Sequence, residues 1–90
     1  MVRYSIIVNG RVQGVGFRYF TQIAAHRLNL TGWCENLMNS TVKIEIQGLE
    51  EDILSFITIL KKGNNFCRVD DINLNIIPII VTEKKYIVRY

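Results

Sequence analysis

A chain of 90 residues that is 49% hydrophobic and 21% charged is one small globular domain, neither a disordered segment nor a multidomain protein. Its net charge of +3 favours anionic partners, without separating a phosphorylated metabolite from nucleic acid. No apolar run is long enough to span a membrane, because Pro78 breaks the stretch from Ile76 to Val81; Met1-Val2-Arg3-Tyr4-Ser5 lacks the layout of a signal peptide. A soluble, cytoplasmic protein is expected.

Val2, Tyr4, Ile6 and Val8 alternate with Arg3, Ser5 and Asn9, which predicts a first strand with one apolar face. Ile7 interrupts the polar side and points to a central strand covered on both faces. After a glycine-rich stretch, Phe17, Phe20, Ile23, Ala24 and Leu28 keep helical spacing, and Asn29 suits a left-handed stop. Thr31 to Leu37 reads as a second strand and Met38-Asn39-Ser40 as a turn. Thr41 to Gln47 follows as a third strand, with Val42, Ile44 and Ile46 on one face. Glu50, Glu51 and Asp52 mark the first turn of a second helix, Lys61 and Lys62 its last, and Gly63 its stop. Ile53, Phe56, Ile57 and Leu60 form its buried stripe. Val69 to Ile77 is a fourth strand, and Tyr86 to Tyr90 a short fifth.

This order predicts an α+β ferredoxin-like two-layer sandwich, β-α-β-β-α-β, with an antiparallel sheet and two helices on one face. A right-handed crossover makes strands 1 and 2 parallel, with strand 3 inserted between them. Their C-terminal ends then share one edge of the sheet, roughly 10 Å apart. The glycine loop leaves one of those ends and Asn36 sits at the other, so the two become neighbours.

The loop itself, Gly10-Arg11-Val12-Gln13-Gly14-Val15-Gly16-Phe17-Arg18, bends sharply between a strand and a helix. Such a backbone can turn successive N–H groups inward as a nest for an anion. The first helix begins there with no Ser, Thr, Asp or Asn cap, whereas the second has acidic side chains to satisfy its first N–H groups. An oxyanion at the uncapped end would gain from the helix dipole, and Arg18 adds a permanent planar fork of donors. Gly16 is followed by Phe17-Arg18, not Lys-Ser/Thr, and Tyr19 stands where a dinucleotide fingerprint needs glycine. No metal-bridging hydroxyl follows, so metal-free phosphate binding is expected.

The remaining chemistry is sparse. His26, the only histidine, lies more than two turns into the helix and reads as solvated. Cys34 and Cys67 match no metal or dithiol spacing and read as free, partly buried thiols, with a disulfide between them as the alternative. With no nucleophile and no general base, positioning and electrostatic stabilisation remain, which suffice for an already activated bond.

The glycine loop together with Gly32-Trp33-Cys34-Glu35-Asn36 resembles the signature pair of the acylphosphatase family. Gln47-Gly48, Arg68-Val69-Asp70 and Ile87-Val88-Arg89-Tyr90 are similar as well, so the likeness spans residues 1–90. It implies the ferredoxin-like fold and hydrolysis of the carboxyl–phosphate bond of acyl phosphates to a carboxylate and inorganic phosphate, with no metal and no cofactor. Carried over, Arg18 binds phosphoryl oxygens with the backbone N–H groups of Gln13, Gly14, Val15, Gly16, Phe17 and Arg18. Asn36 orients the attacking water. The family's usual Asp-Gly hairpin turn is Asn39-Ser40 here, Cys34 replaces an aliphatic residue, and Gly63 to Cys67 lacks a proline. The expected partner is a small acyl phosphate, without nucleic acid or membrane, and the chain is expected to be a monomer.

Two rivals remain. A non-catalytic anion-binding domain would keep the loop without turnover. An RNA-binding module shares the element order, and residues 13–20 half-match its aromatic motif. That motif belongs on strand 3, however, and Thr41-Val42-Lys43-Ile44-Glu45-Ile46-Gln47 has no aromatic residue.

Overall fold

The computed structural model describes residues 1–90. The elements are β1 (Val2–Arg11), α1 (Phe17–Arg27), β2 (Thr31–Asn36), β3 (Val42–Gly48), α2 (Glu50–Lys62), β4 (Arg68–Ile77) and β5 (Tyr86–Val88). The sheet order β4-β1-β3-β2-β5 places β3 between β1 and β2, as expected from the element order. The four-stranded antiparallel core expected from the sequence is present. β5 extends it in parallel to β2, which makes the whole sheet mixed. Direction explains this. β4 runs opposite to β1, so the chain crosses below the sheet and must run upward again, alongside β2. No helix is long and apolar enough to cross a membrane.

The two helices pack on one face, where alternation delivers Ile6 and Val8 from β1 and Val42, Ile44 and Ile46 from β3. Phe17, Ala24 and Ala25 of α1 and Ile53, Phe56, Ile57 and Leu60 of α2 close over them. Full burial of each large side chain contributes about 1.5–3 kcal/mol relative to exposure. The other face carries no helix. Ile7 is only half-buried there, so the expectation of a second covering layer over β1 does not hold.

That open face contains something the polar alternation of β1 concealed. Arg3 lies opposite Gln47 on β3 and Ile77 on β4 and is 1% exposed. Its Nε and Nη2 donate to Glu45 Oε1 at 3.1 and 2.9 Å. Nη1 donates to Gln47 Oε1 at 3.1 Å and to Glu83 Oε1 at 2.7 Å, and Nη2 reaches Glu83 Oε2 at 3.1 Å. Every guanidinium N–H is thereby used. Gln47 in turn pairs with both backbone groups of Ile80, at 2.9 and 2.8 Å. Burial alone would lower the Arg3 pKa, but the hydrogen bonds and charges of Glu83 and Glu45 outweigh it and hold the guanidinium above its ordinary value. The cluster fastens the chain between β4 and β5, at Ile80 and Glu83, to β1 and β3.

Local stops follow the sequence closely. Asn29 is left-handed at φ 55° just after α1, and Gly63 ends α2 at φ 62°. The start of α2 differs from expectation. Its N-cap is Leu49 and no side chain caps it, so Glu50, Glu51 and Asp52 act there through charge on the helix dipole and not by capping bonds.

Candidate functional site

The loop that leaves β1 is shaped by two left-handed glycines, Gly14 at φ 71° and Gly16 at φ 77°. A Cβ on either would meet no other atom, so the backbone conformation alone calls for glycine. Left-handed residues placed between ordinary ones swing successive N–H groups to the same side. The N–H groups of residues 13–18 donate to no acceptor within the protein. Gly16 is the N-cap of α1, with no side-chain cap and no acidic residue in the first turn. The loop therefore joins the positive end of a helix to a row of free donors.

Packing fixes where this cradle stands. Val12 and Phe17, each 1% exposed, anchor its two ends in the core. The Gln13 side chain spans to the β2–β3 hairpin, its Nε2 donating to Leu37 O at 2.9 Å and Thr41 O at 2.8 Å. The hairpin turn is held in its own right, with Asn39 Oδ1 accepting from the Thr41 N–H at 3.3 Å. Gln13 thus ties the loop to the end of β2 that carries Asn36. Sequence reasoning valued Gln13 only for its backbone; a side chain bonding residues 24 and 28 positions away has no local signal.

A cleft of about 230 Å³ opens here, lined among others by Gly14, Gly16, Arg18, Asn36 and Tyr90. Arg18 and Asn36 are brought to one cavity, as the crossover argument predicts. Gln13 and Val15 shape the loop from behind it, and the Val15 carbonyl faces Cys67 Sγ at 3.6 Å. His26 is exposed on α1 and lies outside this cleft.

Arg18 is aimed by residues that local patterning did not single out. Its Nη1 donates to Arg89 O at 2.7 Å, and its guanidinium lies 4.7 Å from the Tyr90 ring centroid. Arg89 is itself held twice: its N–H donates to Cys34 O at 2.8 Å, and its guanidinium sits 3.9 Å from the Trp33 ring centroid. The other Arg18 donors remain free to meet a ligand. Beneath it, Thr21 Oγ1 donates to Arg18 O at 2.7 Å and meets the Tyr86 hydroxyl at 2.9 Å.

Burial pushes the Tyr86 hydroxyl and the Cys34 thiol above their ordinary pKa values. For Cys34, bonds to Thr21 and Tyr86 and the charge of Arg18 oppose that shift without cancelling it. Cys34 is therefore a protonated packing group at neutral pH and no nucleophile. Unfolding returns these groups to ordinary values of 9.0 and 10.0, so above about pH 9 the unfolded chain binds fewer protons than the folded one. Their contribution to stability is full below pH 9 and falls as pH rises. Thermal midpoints between pH 8 and 11 will show this decline, and Tyr86→Phe will make it shallower.

The acylphosphatase family model matches residues 4–86. The acylphosphatase of Clostridium beijerinckii is 61% identical over 90 residues, covering all of both chains. That of Clostridium acetobutylicum is 46% identical, covering 100% of this chain and 99% of its own. The crystal structure of acylphosphatase from Bacillus subtilis superposes with a TM-score of 0.94 at 39% identity over all of both chains. In T. kodakarensis HypF the likeness, 41% identical with a TM-score of 0.87, covers 100% of this chain but 12% of that one. The family model spans most of the chain, and the Clostridium and Bacillus acylphosphatases match it along all of its length: this chain belongs to the acylphosphatase family.

Proposed function

We propose that the cleft hydrolyses acyl phosphates, with Arg18 and the N–H groups of residues 13–18 holding the phosphoryl group and Asn36 holding water. The supporting observation is the placement of Arg18 and Asn36 on one cleft beside six consecutive N–H groups that the fold leaves unpaired. Three phosphoryl oxygens with spread negative charge match a cradle of donors at a helix N-terminus. A neutral amide can accept from one water proton while leaving the oxygen lone pair directed at phosphorus. A carboxylate in its place would repel the substrate. As the water oxygen bonds to phosphorus, the bond from phosphorus to the carboxyl oxygen breaks, and a carboxylate and dihydrogen phosphate leave. The carboxylate is a stable leaving group, so the step requires no strong acid. The chain is read as a cytoplasmic monomer acting on small molecules without nucleic acid. In support, the cleft, at about 230 Å³, has the size of a small-molecule site, and β3 bears Lys43, Glu45 and Gln47, not aromatic rings, on the open face.

The test is hydrolysis of benzoyl phosphate with a chelator present. Turnover well above the uncatalysed rate is expected; its absence would end the enzyme reading, and loss only with chelator would end the metal-free one. Asn36→Ala will lower kcat by about 10²–10³-fold, the usual cost of one positioned polar group. Inhibition by inorganic phosphate will be unchanged, since phosphate is held elsewhere. A parallel loss of phosphate affinity would remove Asn36 from its water-holding role.

A further inference from the structure

A second, larger cleft of about 810 Å³ adjoins the first, and Gln22, one turn beyond Arg18 on α1, lines both. It lies between the C-terminal half of α1, the turn at Asn29 and the approach to β5, and His26, Arg27, Lys84 and Lys85 edge it. No carboxylate lines it. Arg27, Lys84 and Lys85 take part in no ion pair, and the adjacent Glu83 is turned away and bound to Arg3. At the end of α1 the carbonyls of Ala24, Ala25 and His26 already accept from Leu28, Leu30 and Asn29. The cleft is thus a cationic extension of the phosphate site in which no carboxylate pairs with the basic side chains.

An acyl chain held by its phosphoryl group at the Gly14–Gly16 loop, and long enough to leave the first cleft, can follow α1 past Gln22, which lines both clefts. At about 1.5 Å per helical residue, Arg27 stands roughly 13 Å along α1 from Arg18. Long basic side chains shorten the gap between them.

We propose that the second cleft receives the far end of the acyl group and favours acyl phosphates that carry a terminal carboxylate several bonds from phosphorus. This rests on the phosphate-site reading above and names the substrates which that site handles best. The charges are solvent-exposed, so the preference is modest, about threefold to tenfold in kcat/KM. It weakens with salt, since the Debye length is about 10 Å at 0.1 M.

The probe is adipoyl monophosphate set against its terminal amide, a neutral analogue of the same length and shape. Wild type will favour the carboxylate at low salt, and the ratio of the two kcat/KM values will approach one in about 0.5 M salt. Lys84→Gln with Lys85→Gln will bring the ratio close to one at low salt. Lys61→Gln with Lys62→Gln removes the same charge from the end of α2 and will preserve the ratio. A wild-type ratio of one at low salt overturns the proposal, as does an equal fall in both double variants, which would assign the effect to the overall charge. Benzoyl phosphate separates the two levels. If it is hydrolysed and the ratio is one, only the second cleft is misassigned; if it is not hydrolysed, the phosphate-site reading falls and this one with it.

Discussion

Arg18→Ala will lower kcat/KM on benzoyl phosphate by about 10³-fold or more, the range in which an arginine on a transferring phosphoryl group acts. Nη1 is committed to Arg89 O at 2.7 Å, and the guanidinium is stacked 4.7 Å from the Tyr90 centroid. The fork is therefore oriented before substrate arrives, and little reorganisation opposes charge development on the phosphoryl oxygens. Arg18→Lys will recover little of the loss. An ammonium can bond Arg89 O or the phosphate, but it cannot present a fixed planar set of donors to both. Inorganic phosphate will inhibit Arg18→Ala far less than wild type, which separates this role from that of Asn36. The side chain is partly exposed and bridges no buried charge, so the denaturation midpoint will move little. Wild-type turnover by Arg18→Ala would refute the assignment of the site.

Arg3→Ala will have the opposite profile, with stability lost and activity kept. Removing the guanidinium leaves Glu45, Glu83 and Gln47 facing one another without their shared donor. Breaking a buried ion pair on one side costs about 3 kcal/mol or more, a shift of roughly 2 M in the urea midpoint for a domain of this size. The side chains of Glu45 and Glu83 keep 19% and 15% exposure, which holds the loss near the lower end. Arg3 and Arg11 lie near opposite ends of β1, about 27 Å apart. Turnover per folded molecule, measured without denaturant, will therefore stay near wild type. A large drop in kcat with an unchanged urea midpoint would show that the cluster reaches the site instead of securing the fold.

Much of this protein was legible in one dimension because its cues act within a few residues. Alternation at Val42, Ile44 and Ile46, helical spacing at Ile53, Phe56, Ile57 and Leu60, and stops at Asn29 and Gly63 all report local backbone geometry, and each appears where it was expected. Chain order with a handedness rule was enough to bring the glycine loop to Asn36. The place of Arg3 on the polar face of β1 has no such local cue. An Arg in an alternating strand looks the same whether it meets water or, as Arg3 does, Glu45, Gln47 and Glu83, which are 42 to 80 positions away.

The sequence by itself therefore determined the element order, the ferredoxin-like fold, the free donors of the Gly14–Gly16 loop and the meeting of Arg18 with Asn36. Only the tertiary structure decided how that site is held: Gln13 bonded to the hairpin, Arg89 locked between Cys34 and Trp33 so that its carbonyl aims Arg18, and a cationic cleft beyond Gln22. The division follows from range. Propensity and periodicity are written between near neighbours, whereas each of these contacts joins segments that become neighbours only when the sheet assembles.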